Sequence, residues 1–371
     1  MSSKMILLFG VPMFVGSGAI LWMFWERLKK PPKKKIFISA DCWLCVFDLL
    51  APSQLGLGIA LISHRFDFYV DEHFKLRHWA LKFLEIRRNF GTKELIIVNY
   101  TWKMLPIPQK SLPKNVVEFK AISIEYIDNK AITFLCRFCQ LFATCPINLS
   151  IYMHNDRITE FFLRNIWPML GKNIHGIELS GKFFRRLRQF VPSLFNDLPL
   201  LRDVTFYVAN FFTEFPADDS AAASDGQAVA KWLFTAHPEN VLKVFKCALV
   251  IDDDFLAARI EDFKAAFVSA SSPSNFIVVV WFYRSPFADF IVPFSLINEL
   301  TREQLALKRT FYSDCFVLIR CPIVRNASKW AKWEEKAIEW QIYDQRNQIS
   351  IAINREDNIG DGLLNAYDLP K

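Results

Sequence analysis

Ile174-His175-Gly176-Ile177-Glu178-Leu179 is followed by Leu200-Leu201-Arg202-Asp203-Val204-Thr205-Phe206. The two apolar runs lie roughly 27 residues apart, the period of a repeat that supplies one strand and one helix. Such a unit cannot bury its own apolar face. Stacked units share a continuous core and leave a curved, strand-lined surface for a partner. Working outward, β-rich runs are expected at 117–124, 148–153, 176–179, 203–208, 244–251, 276–281 and 315–319. Amphipathic helices are expected between them at 130–143, 159–170 and 183–194. The expected fold class is therefore α/β, with an irregular, leucine-rich-repeat-like solenoid over residues 81–371. A single α/β domain with a parallel sheet is the alternative.

Composition agrees with a bulky core, since 36 of 371 residues are Phe and only 12 are Gly. The small, acidic stretch 216–230 reads as an exposed loop. Arg185, Arg186 and Arg188, and the acids Asp252, Asp253 and Asp254, read as solvated surface. Near the end, Ser328 is expected to cap a helix over 329–343, with Trp330, Trp333, Ala337 and Trp340 on one face. The alternating 348–353 then reads as an edge or capping strand.

The amino end has a different character. Residues 5–25 form 21 uncharged positions, long enough to cross a hydrocarbon layer of about 30 Å. Trp22 and Trp25 stand at one end, where aromatic side chains favour the interface. Residues 26–35 carry six basic side chains and one acidic one, a net of +5. These features predict a single-pass anchor over 1–25 in the lipid bilayer, a basic juxtamembrane linker over 26–35, and the bulk of the chain in the cytosol. The whole chain carries +7, so 7 − 5 leaves +2 for the rest. That balance argues against a nucleic-acid partner.

Residues 36–80 read as a helical hook. Ser39 can cap its first helix, and Asp41 puts a negative charge in the first turn. Trp43, Val46, Phe47 and Leu50 follow at three- and four-residue spacings. Pro52 and Ser53 break that helix, and Leu55, Ile59, Leu61 and Ile62 begin a second one. About thirty residues cannot bury this many large side chains alone, so some must face another domain or chain.

The stretch resembles the F-box, the motif through which substrate receptors attach to the adaptor of SCF-type ubiquitin ligases. Ile38 stands at the family's opening Leu, Asp41 at its Glu, and Val46-Phe47 at its apolar pair. Leu50 and Leu55 match the next two leucines, and Ile62-Ser63-His64-Arg65-Phe66 resembles the closing Val-Ser-basic-basic-Trp step. Ser39 replaces the family's Pro. With His73-Phe74-Lys75-Leu76-Arg77-His78-Trp79, the chain is similar to a nematode group of F-box proteins. The resemblance implies binding to the adaptor and its cullin complex through Ile38, Trp43, Val46, Phe47, Leu50, Leu55, Ile62 and Phe66. It also implies a target protein held by the body.

Cys42-x-x-Cys45 and Cys136-x-x-Cys139 have zinc-pair spacing, but neither contains the turn residues a knuckle needs. Buried, reduced thiols are expected instead, with no metal. Asn99, Asn148 and Asn326 begin glycosylation sequons, which matter only on the far side of a membrane. Dinucleotide, phosphate-loop and zinc-protease signatures are missing from the sequence, so neither catalysis nor a cofactor is expected. The competing class is a lumen-facing single-pass transferase, whose only carboxylate motif would be Asp252-Asp253-Asp254. A membrane scaffold without a ligase role is a further alternative.

Overall fold

The computed structural model describes residues 38–50, 54–89, 94–99, 104–105, 115–170, 173–236, 241–250, 253–282, 292–312, 315–339 and 347–364. It divides into a unit ending at Leu76 and a unit beginning at Arg77.

The first unit holds helix α1 (Ala40–Phe47), a π turn (Leu55–Ile59) running into a 3₁₀ turn (Ala60–Ile62), and helix α2 (His64–Leu76). The basic-aromatic step therefore opens a third helical segment rather than ending the second. Ser63 adopts extended backbone, φ −168° and ψ 160°, which stops the 3₁₀ turn.

The second unit is one sheet. It begins with β1 (Trp79–Arg88), β2 (Leu95–Asn99), β3 (Met104–Leu105) and β4 (Val116–Ile124). Strands and helices then alternate. Helices α3 (Asn129–Cys136) and α4 (Cys139–Thr144) lead to β5 (Ile147–Ile151). Helices α5 (Asp156–Asn165) and α6 (Trp167–Leu170) lead to β6 (Ile174–Leu179). Helices α7 (Gly181–Phe190) and α8 (Leu194–Asp197) lead to β7 (Asp203–Ala209). Then come α9 (Asp225–Phe234), β8 (Lys243–Leu249), α10 (Asp253–Ser269) and β9 (Phe276–Phe282). The chain ends through β10 (Phe294–Asn298), β11 (Glu303–Arg309), β12 (Cys315–Pro322), α11 (Ala327–Ile338) and β13 (Gln348–Ile351).

Side-chain caps begin the helices that follow β4, β5, β6 and β7. Asp128 accepts from the Ala131 amide at 2.7 Å, Asn155 from Arg157 and Ile158, and Ser180 from Phe183 at 3.1 Å. Ser224 and Gln227 form a reciprocal capping box at the start of α9.

The expected fold class is corrected by this arrangement. In place of stacked repeats there is a single thirteen-stranded sheet, ordered β10-β11-β12-β9-β8-β7-β6-β5-β13-β4-β1-β2-β3 among the described residues. Strands β5 to β9 run parallel in chain order, but β13 pairs in parallel with both β4 and β5. In a solenoid each unit meets only its neighbours. Here the last strand completes the sheet between early ones, and antiparallel strands extend both ends. The expected edge strand is thus central, with Ile349 and Ile351 fully buried.

The membrane-spanning helix is likewise unsupported. No helix among the described residues is long and apolar enough to cross a membrane, and residues 5–25 lie outside them. Asp252 also lies outside the described residues, as does Trp340.

The main core lies between one sheet face and the helices α3 to α10, where Phe side chains meet ring to ring. Phe206 contacts Phe184 at 5.0 Å and Phe245 at 5.7 Å, and Phe263 contacts Phe234 at 5.2 Å. Helix α11 lies on the other face, packing Trp330 and Ala337 against Ile277, Val279, Val317 and Ile319. Alternate residues of β9 thus serve two cores. Asn326, not Ser328, caps α11, accepting from Lys329 at 2.9 Å.

Two surface expectations fail for one reason, an ion pair between distant segments. Arg188 is buried, and its guanidinium meets the buried Asp225 at 3.4 Å. That pair draws the second half of the expected 216–230 loop inward as the start of α9. Gly226 is required there, because a Cβ would come within 2.3 Å of the Phe212 carbonyl oxygen. All eight cysteines are free; Cys145, Cys247, Cys315 and Cys321 are buried, but Cys42, Cys45 and Cys136 are exposed. The latter sit on helix faces turned to solvent.

Candidate docking surface on the helical hook

Ser39 caps α1 as its position predicts, accepting from the Cys42 amide at 3.4 Å. Helical spacing then puts Trp43, Phe47 and Leu50 on the inward side. Phe47, Leu55 and Val70 form the enclosed centre, with Trp43, Leu44, Leu50, Ile59 and Phe66 packed around it. Trp43 meets Phe66 edge-on at 4.8 Å, and Phe47 meets His73 edge-on at 5.7 Å.

Polar contacts close the ring of helices. His73 Nδ1 lies 3.7 Å from Asp48 Oδ1, linking α2 to the end of α1. Arg65 Nε donates to Tyr69 OH at 2.8 Å, and its Nη2 donates to the Ile38 carbonyl at 3.4 Å. The Arg65 guanidinium also lies 5.2 Å from the Tyr69 ring centroid.

The eight residues expected to bind the adaptor divide into three groups. Ile38, Val46 and Ile62 are exposed and available to a partner. Trp43, Leu50 and Phe66 are half-buried against the hook's own centre. Phe47 and Leu55 are 1% and 0% exposed, which corrects their assignment as contact residues. They hold the hook together instead, each burial contributing roughly 1.5–3 kcal/mol.

Sequence reasoning missed two outward side chains. Leu49 is 85% exposed and Leu61 78% exposed. The signal was available for Leu49: it lies three residues after the outward Val46, in the turn that follows α1. Leu61 and Ile62 stand side by side just before the Ser63 break.

The body carries perturbed groups of its own. Alternation on its parallel strands puts Ser123, Ser350, Ser150, Glu178, Thr205 and Lys246 in one register row, on the face opposite the main core. Parallel sheets usually read as continuous apolar runs because both faces are covered. Here Glu178 is buried, and its Oε2 accepts from Ser150 Oγ at 2.8 Å and Tyr152 OH at 2.9 Å. Loss of hydration pushes the neighbouring Asp203 carboxyl up, opposed by Lys246. The row was legible as apolar-polar-apolar triplets such as Leu149-Ser150-Ile151 and Ile177-Glu178-Leu179.

Elsewhere, burial pulls Lys243 down to about 8 and pushes Asp219 up to about 6. The Lys243 ammonium donates to the carbonyls of Trp232 and Thr235, closing the carboxyl end of α9. That contact gives Lys243 a structural role. Among the described residues no group of His, Cys, Asp and Glu side chains could hold a metal ion. Comparison with known proteins found no family model, no curated protein and no solved structure that matches this chain.

Proposed function

We propose that the chain is the substrate-recognition subunit of an SCF-type ubiquitin ligase. The hook grips the ligase adaptor, within its cullin complex, and the body selects a target protein. In this reading the chain performs no chemistry; it raises the effective concentration of the target near the ligase.

The supporting observation is the hook's unequal use of its apolar residues. Three helical segments enclose Phe47, Leu55 and Val70, yet Val46, Leu49, Leu61 and Ile62 point to water. Outward apolar side chains on so small a body are the mark of a docking surface. The similarity of residues 38–66 to the F-box names the partner class that would cover them.

The test is co-purification of the full chain with the ligase adaptor. Val46→Asp and Ile62→Asp put a carboxylate where the partner must exclude water, so each should abolish capture while melting remains unchanged. Full retention of adaptor by both variants, or no capture by wild type, rejects the assignment.

A further inference from the structure

We propose that a cavity between α8, the carboxyl end of α9 and the start of β8 binds a small zwitterion, an amino acid with an apolar side chain. The cavity has a volume of about 180 Å³. That is the share of about six water molecules in the liquid, so it suits a guest below drug size.

Its apolar wall is formed by buried side chains. Phe195 of α8 and Trp232 of α9 stack with ring centroids 5.5 Å apart, and Leu198 and Leu201 line the space beside them. Two groups of opposite charge border the same cavity, Asp219 from the connection ahead of α9 and Lys231 from its last turn. They act on each other through space, yet Lys231 forms no ion pair among the described residues. A carboxylate and an ammonium that share a cavity without closing on each other leave room for a bipolar guest, whose two ends satisfy both.

Asp219 is the sharper of the two. One of its oxygens is buried without a hydrogen-bond partner, and loss of hydration raises its carboxyl to about 6. It is therefore ionised at neutral pH and short of donors. Arg188 and Lys231 attract the charge, and Asp218 and Asp197 oppose them. The backbone beneath the carboxylate is tied down. Arg188 Nη2 donates to the Ser220 carbonyl at 3.0 Å, and the Ser220 amide donates to Asp218 Oδ1 at 3.0 Å. A site fixed in advance loses less freedom when it binds.

Lys243 borders the cavity too, but two of its three donors go to the carbonyls of Trp232 and Thr235. Burial alone accounts for its lowered pKa, so it stands apart from Asp219 and does not neutralise it. Its ammonium adds to the pull of Lys231 on a guest carboxylate. An amine alone would meet two lysines, and a carboxylate alone would leave Asp219 without a donor. A zwitterion with a branched apolar side chain meets all three demands. None of this depends on what the hook binds.

Isothermal calorimetry of the full chain tests this with L-valine as the probe. Isobutylamine and isovalerate, which keep one charged end each, serve as the ammonium-only and carboxylate-only controls. Saturable one-to-one binding of L-valine is expected, with both controls weaker by about tenfold or more. Asp219→Asn and Lys231→Gln should each weaken it by about tenfold or more. Asp219→Asn should do so without lowering the melting temperature of the ligand-free chain, which separates a lost contact from a damaged fold. Lys182→Gln, on α7, and Ile62→Asp, in the hook, should bind as wild type. The proposal is overturned if wild type shows no saturable binding of L-valine up to about 1 mM. It is equally overturned if either control binds as tightly as L-valine, or if Asp219→Asn or Lys231→Gln binds as wild type.

Discussion

In the hook, Phe47, Leu55 and Val70 are enclosed while Leu49 and Leu61 stand in water. In the body, Phe184, Phe206, Phe245, Phe212 and Phe263 meet ring to ring behind a continuous sheet. Size accounts for much of the difference, since a short chain buries a smaller fraction of its surface than a long one. Size alone does not explain why α1 and the turn after it leave Val46 and Leu49 on the outer side. A surface with no partner would carry polar residues there at little cost to stability. The body has exposed apolar side chains too, Leu300, Phe311 and Val324 among them, so the contrast lies in how little of the hook is enclosed.

The sharpest way to break this comparison is to damage each region in turn. Arg320 is fully buried and paired with Glu303, its Nε donating at 3.0 Å and its Nη2 at 2.6 Å. The guanidinium also lies within 5.1 Å of the Phe234 ring centroid. Arg320→Ala strands Glu303 in the core and should cost the body about 3–5 kcal/mol in urea unfolding. Phe47→Ala should cost the hook about 3–4 kcal/mol, seen as lost exchange protection confined to the hook. Uniform loss through both units would mean that they are not separate cores.

Smaller changes sharpen the picture. Gly226→Ala drives a methyl group into the Phe212 carbonyl and should cost about 1–3 kcal/mol. Asp219 has one buried oxygen without a hydrogen-bond partner, and loss of hydration raises its carboxyl from 3.8 to about 6. The folded state then holds its proton longer than the unfolded chain does. Stability from this group is full below about pH 4, falls as the pH rises to about 6, and is flat above. Asp219→Asn should match wild type in acid and exceed it by about 1 kcal/mol at neutral pH, after allowance for solvent screening. A thermal-melt series across that range tests the sign. Least of all, Ile62→Ser should change stability by less than about 0.5 kcal/mol. A large loss on that substitution would show that Ile62 belongs to the hook's own packing.

Local rules carried the reading of the sequence a long way. The runs around Ile177, Val204 and Phe245 carry apolar residues in alternation, the run around Val278 is apolar throughout, and caps at Asp128, Asn155 and Ser180 begin helices after β4, β5 and β6. The misses are non-local. Strand β1 carries Lys82, Arg87 and Arg88, and its place in the sheet depends on pairing with β4. Strands β10 and β11 pair with each other at the far end. The four residues of β13 look like an edge piece until β4 and β5 offer both their sides. Arg188 reads as surface until Asp225 comes to it from another helix. The hook shows the same limit on a smaller scale. Spacing groups Trp43, Val46 and Phe47 together, and only the packed helices show that Val46 turns away.

Hydrogen exchange on the full chain, with and without the purified ligase adaptor, tests the docking claim most directly. Added adaptor should slow exchange in the amides of 40–49 and 60–66 while leaving the β5–β9 amides unchanged, and Ile62→Asp should erase that protection. Unaltered exchange throughout the hook in the presence of adaptor would contradict the account.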